Sequence, residues 1–234
     1  MGDDFKSRLD EVRARIERGA RRAGRDPGCI TLVAVAKSVP IERLREATAV
    51  GCRVFGENRV QEADVKMEAL SGYPDLEWHL IGPLQTNKIK AAVGRFALLH
   101  AVDRLEVAER LDRAARGRGL TQSILLEVNV AGEKTKHGFS PDELLRVTER
   151  MGAFHGIRVL GLMAIPPAAG APEEARPHFR RLRMLAAEAR ALKIPGVTMR
   201  ELSMGMSRDF EVAVEEGATL VRIGTALFGP RPVG

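Results

Sequence analysis

Short apolar runs and longer amphipathic stretches alternate along this chain, and that rhythm leaves few folds open to it. Runs at 30–37, 52–58, 77–81, 96–101, 122–129, 157–165, 197–203 and 219–224 read as strands. Stretches at 40–50, 59–70, 87–93, 104–116, 141–151, 172–192 and 207–216 read as the helices between them. A strand, a helix and a second strand in series require parallel pairing, and eight such steps in 234 residues favour a closed α/β barrel, the (β/α)8 TIM type, over a doubly wound sheet. One helix is left over at the start. Phe5, Leu9, Val12 and Ile16 are spaced by three and four, which predicts a stripe on a helix over 4–23 that Gly24 and Pro27 stop. This extra N-terminal helix, within 1–24, is expected outside the barrel, covering its floor or closing its ring. No linker or low-complexity segment divides the chain, so 1–234 is expected to be a single domain, and PPAAGAP from Pro166 reads as a loop at the barrel mouth.

Composition narrows the function classes. A net charge of +6 invites a nucleic-acid partner, but the arginines alternate with Glu and Asp in RARIERGARR and RLEVAERLDRAARGR, the pattern of a salt-bridged surface. With one Trp and one Tyr there is little to stack bases on, and no nucleic-acid role is expected. No apolar run approaches the roughly 18 residues a membrane span needs, and MGDDFKSRLDEV lacks the apolar core of a signal peptide. A cytoplasmic protein is expected. Cys29 and Cys52 have no metal-ligand spacing.

In such barrels ligands bind at the carboxyl ends of the strands. The first strand, ITLVAVAK, runs apolar from Leu32 until it ends in Lys37, which places an amine at the mouth. A lysine held against apolar neighbours is poorly hydrated, and its free amine can form an imine with an aldehyde or ketone. The alternative is a strand-end lysine reaching into water. Other strand ends add Glu57 with Asn58, His79 with Gly82, Asp103, Asn129, Met163, Ser203 with Met204, and Arg222 with Gly224. The last two units carry a second signal. Ser203-Met204-Gly205-Met206-Ser207 and Ile223-Gly224-Thr225 each join a glycine to a hydroxyl at a helix start, and two such turns converging would cradle a phosphate. Taken singly, Ser207 can equally be a helix cap and Gly224 a strand terminus. Arg222 would point into the mouth, unless it is spent on an internal ion pair with Glu57 or Glu201. Lysine, phosphate cradle and arginine together suit a phosphorylated aromatic aldehyde.

The segments VAVAKSVP, FGENRVQEA, WHLIGPLQTNK, AVDR, EVNVAGEKTKHGF, GLMAIPP and ELSMGMSRDFEVAVEEGATLVRIGTALFG resemble the pyridoxal phosphate homeostasis protein family, end to end, and more remotely the N-terminal barrel of alanine racemases. The resemblance implies a pyridoxal 5'-phosphate (PLP) barrel. It implies Lys37 as the Schiff-base lysine, Ser207 with Gly224 and Thr225 as the phosphate site, and Arg222 facing the pyridine nitrogen. Asn58, His79, Ser203 and Met204 fall in family motifs beside the pocket, and Lys136 matches a family lysine at the mouth. The implied function is PLP homeostasis, with apo-enzymes as recipients and a monomer as the working form. A residual amino-acid racemase is the enzyme alternative. Against it, the chain ends at Gly234, soon after the eighth strand, and its sole tyrosine, Tyr73, precedes the third strand, so a second base is expected to be missing. A class I aldolase using the same lysine is a further alternative.

Overall fold

The computed structural model describes residues 2–133, 137–167 and 170–230, with side chains from Phe5 onward. Its strands are β1 (Thr31–Val35), β2 (Val54–Glu57), β3 (Glu77–Leu80), β4 (Leu98–Val102), β5 (Gln122–Glu127), β6 (Ile157–Met163), β7 (Val197–Ser203) and β8 (Leu220–Ile223). Each pairs in parallel with the next, and β8 returns to β1 with Arg222 opposite Val33, closing the expected barrel.

The helices are α1 (Gly2–Arg22), α2 (Ile41–Ala49), α3 (Val60–Ala69), α4 (Ile89–Ala92), α5 (Leu105–Arg116), α6 (Leu144–Met151), α7 (Arg176–Ala191), α8 (Phe210–Glu215) and α9 (Thr225–Phe228). Four differ from the sequence pattern, among them α6, which starts at Leu144 where a helix from 141 was expected. The helix expected over 87–93 is a 3-10 turn followed by the single turn of α4, and the one over 172–192 begins with a 3-10 turn over Pro172–Ala175. The helix expected from Ser207 starts instead at Phe210, with Asp209 at its N-cap, so Ser207 stands in the turn before it.

Helix α1 occupies a place in the outer ring. Its stripe of Phe5, Leu9, Val12 and Ile16 is buried, the Phe5 ring lies 5.1 Å from that of Phe228 on α9, and Arg15 sits 4.6 Å over the Phe210 ring on α8. At its other edge Arg13 donates to the Gly51 carbonyl after α2. Among the described residues β8 is followed by the one-turn α9, and α1 packs between α8 and α2, where burying its stripe removes apolar surface from water.

The core has two shells. Most buried apolar side chains lie between strands and helices, while Val33, Leu98, Ala101, Leu125, Met163 and Leu220 fill the barrel interior. The interior also holds His79, His100, Ser203 and Arg222, all buried.

Candidate functional site

Strand β1 stops two residues short of Lys37. The Ala36 carbonyl accepts from Val39 N–H at 2.9 Å, closing a turn with Lys37 and Ser38 at its centre. Ser38 has φ 59°, the left-handed conformation that a type II turn demands at its third position and that a non-glycine residue adopts at a cost. The turn is buttressed from the side. Lys66 on α3 donates to the Ala36 carbonyl at 2.7 Å and to Glu57 Oε1 at the end of β2, and Glu57 Oε2 accepts from Asn58 N–H. Glu57 is fully buried, and that burial outweighs its pairing with Lys66 and pushes its carboxyl above the usual range. One buried ion pair therefore ties the Lys37 turn to the Asn58 loop.

Lys37 itself is half-buried and its ammonium has no hydrogen-bond or ion-pair partner among the described residues. It borders a cavity of about 220 Å³ at the barrel mouth, whose other walls include Asn58, Ile81, Glu127, Met163 and Arg222. Gly82 also lines it, and a Cβ there would stand 2.7 Å from the Asn58 carbonyl oxygen, so only glycine lets the loops after β2 and β3 meet. Lys37 borders a second, smaller hollow as well, which Gly224 and Thr225 also line.

The turns after β7 and β8 do converge. Ser207 Oγ accepts from Ala226 N–H of α9 at 3.2 Å, so Ser207 is bonded across to the next unit instead of capping its own helix. Gly205 makes this possible with φ 90°, packed so closely against α8 that a Cβ would lie 2.5 Å from that of Ala213.

Arg222 is buried in the cavity wall and is not paired with Glu57 or Glu201, the carboxylates weighed for it above: Glu57 holds Lys66, and Glu201 accepts from Thr219. Its Nη1 donates to Ser203 Oγ and its Nη2 to the Ala164 carbonyl at 3.1 Å. Burial lowers its pKa to about 10, against the opposing pull of Glu127 and Asp209, so the guanidinium stays charged at neutral pH.

Of the residues singled out in the sequence, the structure brings Lys37, Asn58 and Arg222 to one cavity, and Ser207, Gly224 and Thr225 to the adjoining turns. His79, Ser203 and Met204 are not among the cavity walls. His79 and Ser203 lie inside the barrel beneath it, hydrogen-bonded to His100, and Met204 is buried in the outer core. Lys136 lies outside the described residues. Two groups were missed by the sequence reading. Glu127 walls the cavity because β5 ends there and not at Asn129, whose side chain ties its own loop to Glu133. His100 escaped notice because it sits mid-strand in an apolar run; its spacing of two from Leu98 was the available signal. Among the described residues no cluster of three His, Cys, Asp or Glu could hold a metal, and no helix is long and apolar enough to cross a membrane.

Residues 7–232 match the family model of the alanine racemase N-terminal domain. The pyridoxal phosphate homeostasis protein of Aquifex aeolicus is 48% identical over 224 residues, covering 96% of this chain and 97% of that protein. The chain belongs to the pyridoxal phosphate homeostasis protein family. The member from Pseudomonas aeruginosa is 44% identical over 97% of this chain and 95% of its own length. PipY of Synechococcus elongatus, solved with PLP bound, superposes with a TM-score of 0.84 at 39% identity over 96% of this chain and 100% of its own, and the form without PLP gives 0.86. PipY thus shares the fold seen here over its whole length.

Proposed function

We propose that this chain binds PLP as a Schiff base on Lys37 and takes part in keeping the cofactor supplied inside the cell. The observation that carries the reading is that Lys37 and Arg222 wall one cavity while Lys37 also lines an adjoining hollow together with Gly224 and Thr225. The groups present fit the cofactor: an unpaired amine for its aldehyde, and the Ser207, Gly224 and Thr225 turns for its phosphate. Apolar walls at Ile81 and Met163 suit its ring, with Arg222 toward the pyridine nitrogen. Asn58, on the same cavity, is assigned a ring contact. When bound, PLP supplies a reactive carbonyl and an electron-withdrawing ring.

Arg222 favours holding over transforming. A permanently charged guanidinium disfavours a protonated pyridine nitrogen and weakens the ring as an electron sink. Tyr73, the sole tyrosine of the sequence, is partly exposed in the connection before β3, on the floor side of the barrel. In this reading the chain works as a cytoplasmic monomer and its recipients are apo-enzymes that use the same cofactor. The test is the visible spectrum after PLP addition. The native protein is expected to show an imine band that borohydride bleaches, and Lys37→Ala to lack it while keeping partial phosphate affinity through the Ser207 and Gly224 turns. An unchanged band in Lys37→Ala refutes the assignment, and isotope exchange at Cα of single amino-acid enantiomers would restore the racemase reading.

A further inference from the structure

The barrel interior holds a row of polar side chains that PLP binding as such does not require. Arg222 Nη1 donates to Ser203 Oγ, Ser203 Oγ lies 2.8 Å from His100 Nδ1, His100 Nε2 lies 3.0 Å from His79 Nδ1, and His79 Nε2 lies 3.8 Å from Glu77 Oε2. Glu77 opens β3 and is exposed at the floor, so the row crosses the barrel from mouth to bottom.

The direction of every proton in this row follows from its first member. A guanidinium only donates, so Ser203 Oγ accepts from it. The Ser203 hydroxyl proton has no other acceptor among the described residues than His100 Nδ1. His100 Nδ1 is then an acceptor, its proton sits on Nε2, and it donates to His79 Nδ1. His79 in turn carries its proton on Nε2, toward the Glu77 carboxylate. Both rings must be neutral for this, and burial does keep them so: His79 is lowered to about 4, and His100, with the nearby charges of His79 and Arg222 adding to its burial, lies well below the ordinary histidine value.

We propose that His100 and His79 are positioning residues for Arg222, forming through Ser203 a one-way hydrogen-bond chain that holds the guanidinium in the cavity wall. Two acceptors fix its plane, Ser203 Oγ and the Ala164 carbonyl; its remaining N–H groups have no protein acceptor among the described residues, and the residue lines the cavity. With His100 in place, the serine hydroxyl is turned so that its lone pair meets the arginine. Without it, the hydroxyl is free to rotate, and Arg222 loses a defined partner. The consequence for the ligand rests on the PLP reading above, whereas the chain itself does not.

The two are separable by nitrogen NMR of the ligand-free, full-length protein followed by PLP titration. In the native protein both His79 and His100 are expected as neutral Nε2–H tautomers with Nδ1 in the acceptor range, and Arg222 as resolved, exchange-protected Nη signals. Arg222→Met removes the donor that sets the direction, and mixed tautomers at both rings are expected. His100→Asn keeps an acceptor oxygen near the place of Nδ1 and should retain the Arg222 signals and PLP affinity. His100→Leu should lose the signals and weaken PLP about tenfold, the size of one charge-assisted hydrogen bond. An Nδ1–H tautomer at either histidine in the native protein overturns the proposal, as do unchanged tautomers in Arg222→Met or native-like Arg222 signals in a folded His100→Leu. A normal chain in a protein that forms no imine would sink the PLP reading alone.

Discussion

Lys66 shows how much of the candidate site depends on a residue that never reaches the cavity. Its ammonium is buried between Glu57 and the Ala36 carbonyl, one residue before Lys37, and it shares Glu57 with the Asn58 amide. Removing one partner of such a pair leaves the other charged and unpaired in a low-dielectric site, which is costlier than removing both. Lys66→Met is therefore expected to cost about 3–5 kcal/mol in urea unfolding, and Lys66→Met combined with Glu57→Gln to recover most of that. Equal midpoints for the single and double variants would mean that the pair is solvated and braces nothing.

At the scale of elements, the turns that follow β7 and β8 are held together by geometry more than by charge. Gly205 adopts φ 90° against α8, and this lets Ser207 reach Ala226 on α9. Alanine at position 205 would combine left-handed strain with a collision at Ala213. Gly205→Ala is expected to destabilise the fold by about 1–3 kcal/mol and to abolish the rise in melting temperature that PLP produces. An undiminished rise would separate the convergence of these turns from phosphate binding. Helix α1 illustrates a different use of an element. Although it comes before the first strand, it packs in the outer ring against α8, α9 and α2.

For the whole molecule, the buried histidines set a limit on acid stability. His79 is lowered to about 4 in the fold from 6.5 when unfolded, by burial. Between those values the unfolded chain binds the proton and the native chain does not, so stability is complete above about pH 6.5 and is lost as pH falls toward 4. The loss from His79 alone is about 3 kcal/mol, and His100 acts in the same direction. The check is the urea midpoint across this window: His79→Gln should flatten the acid limb, and a native-like limb in that variant would place the titrating group elsewhere.

Much of this was legible before any tertiary structure. Number and order of strands, the barrel, the amine after β1 and the paired turns after β7 and β8 were all written in short-range periodicity, because a strand repeats every two residues and a helix every 3.6. The apolar run that ends at Lys37 and the glycine–hydroxyl spacing near Ser207 and Gly224 are likewise local. What only the tertiary structure decided involves residues far apart in the chain. His100 meets Ser203 across 103 positions, Lys66 meets Ala36 across 30, and Arg222 finds Ser203 and Ala164 in place of the carboxylates its charge suggested. Barrel closure and strand register determine those meetings, and because β5 ends two residues earlier than its sequence pattern suggests, Glu127 and not Asn129 walls the cavity. Periodicity is a property of neighbours in sequence; the partners of a buried polar group are set only when the sheet closes.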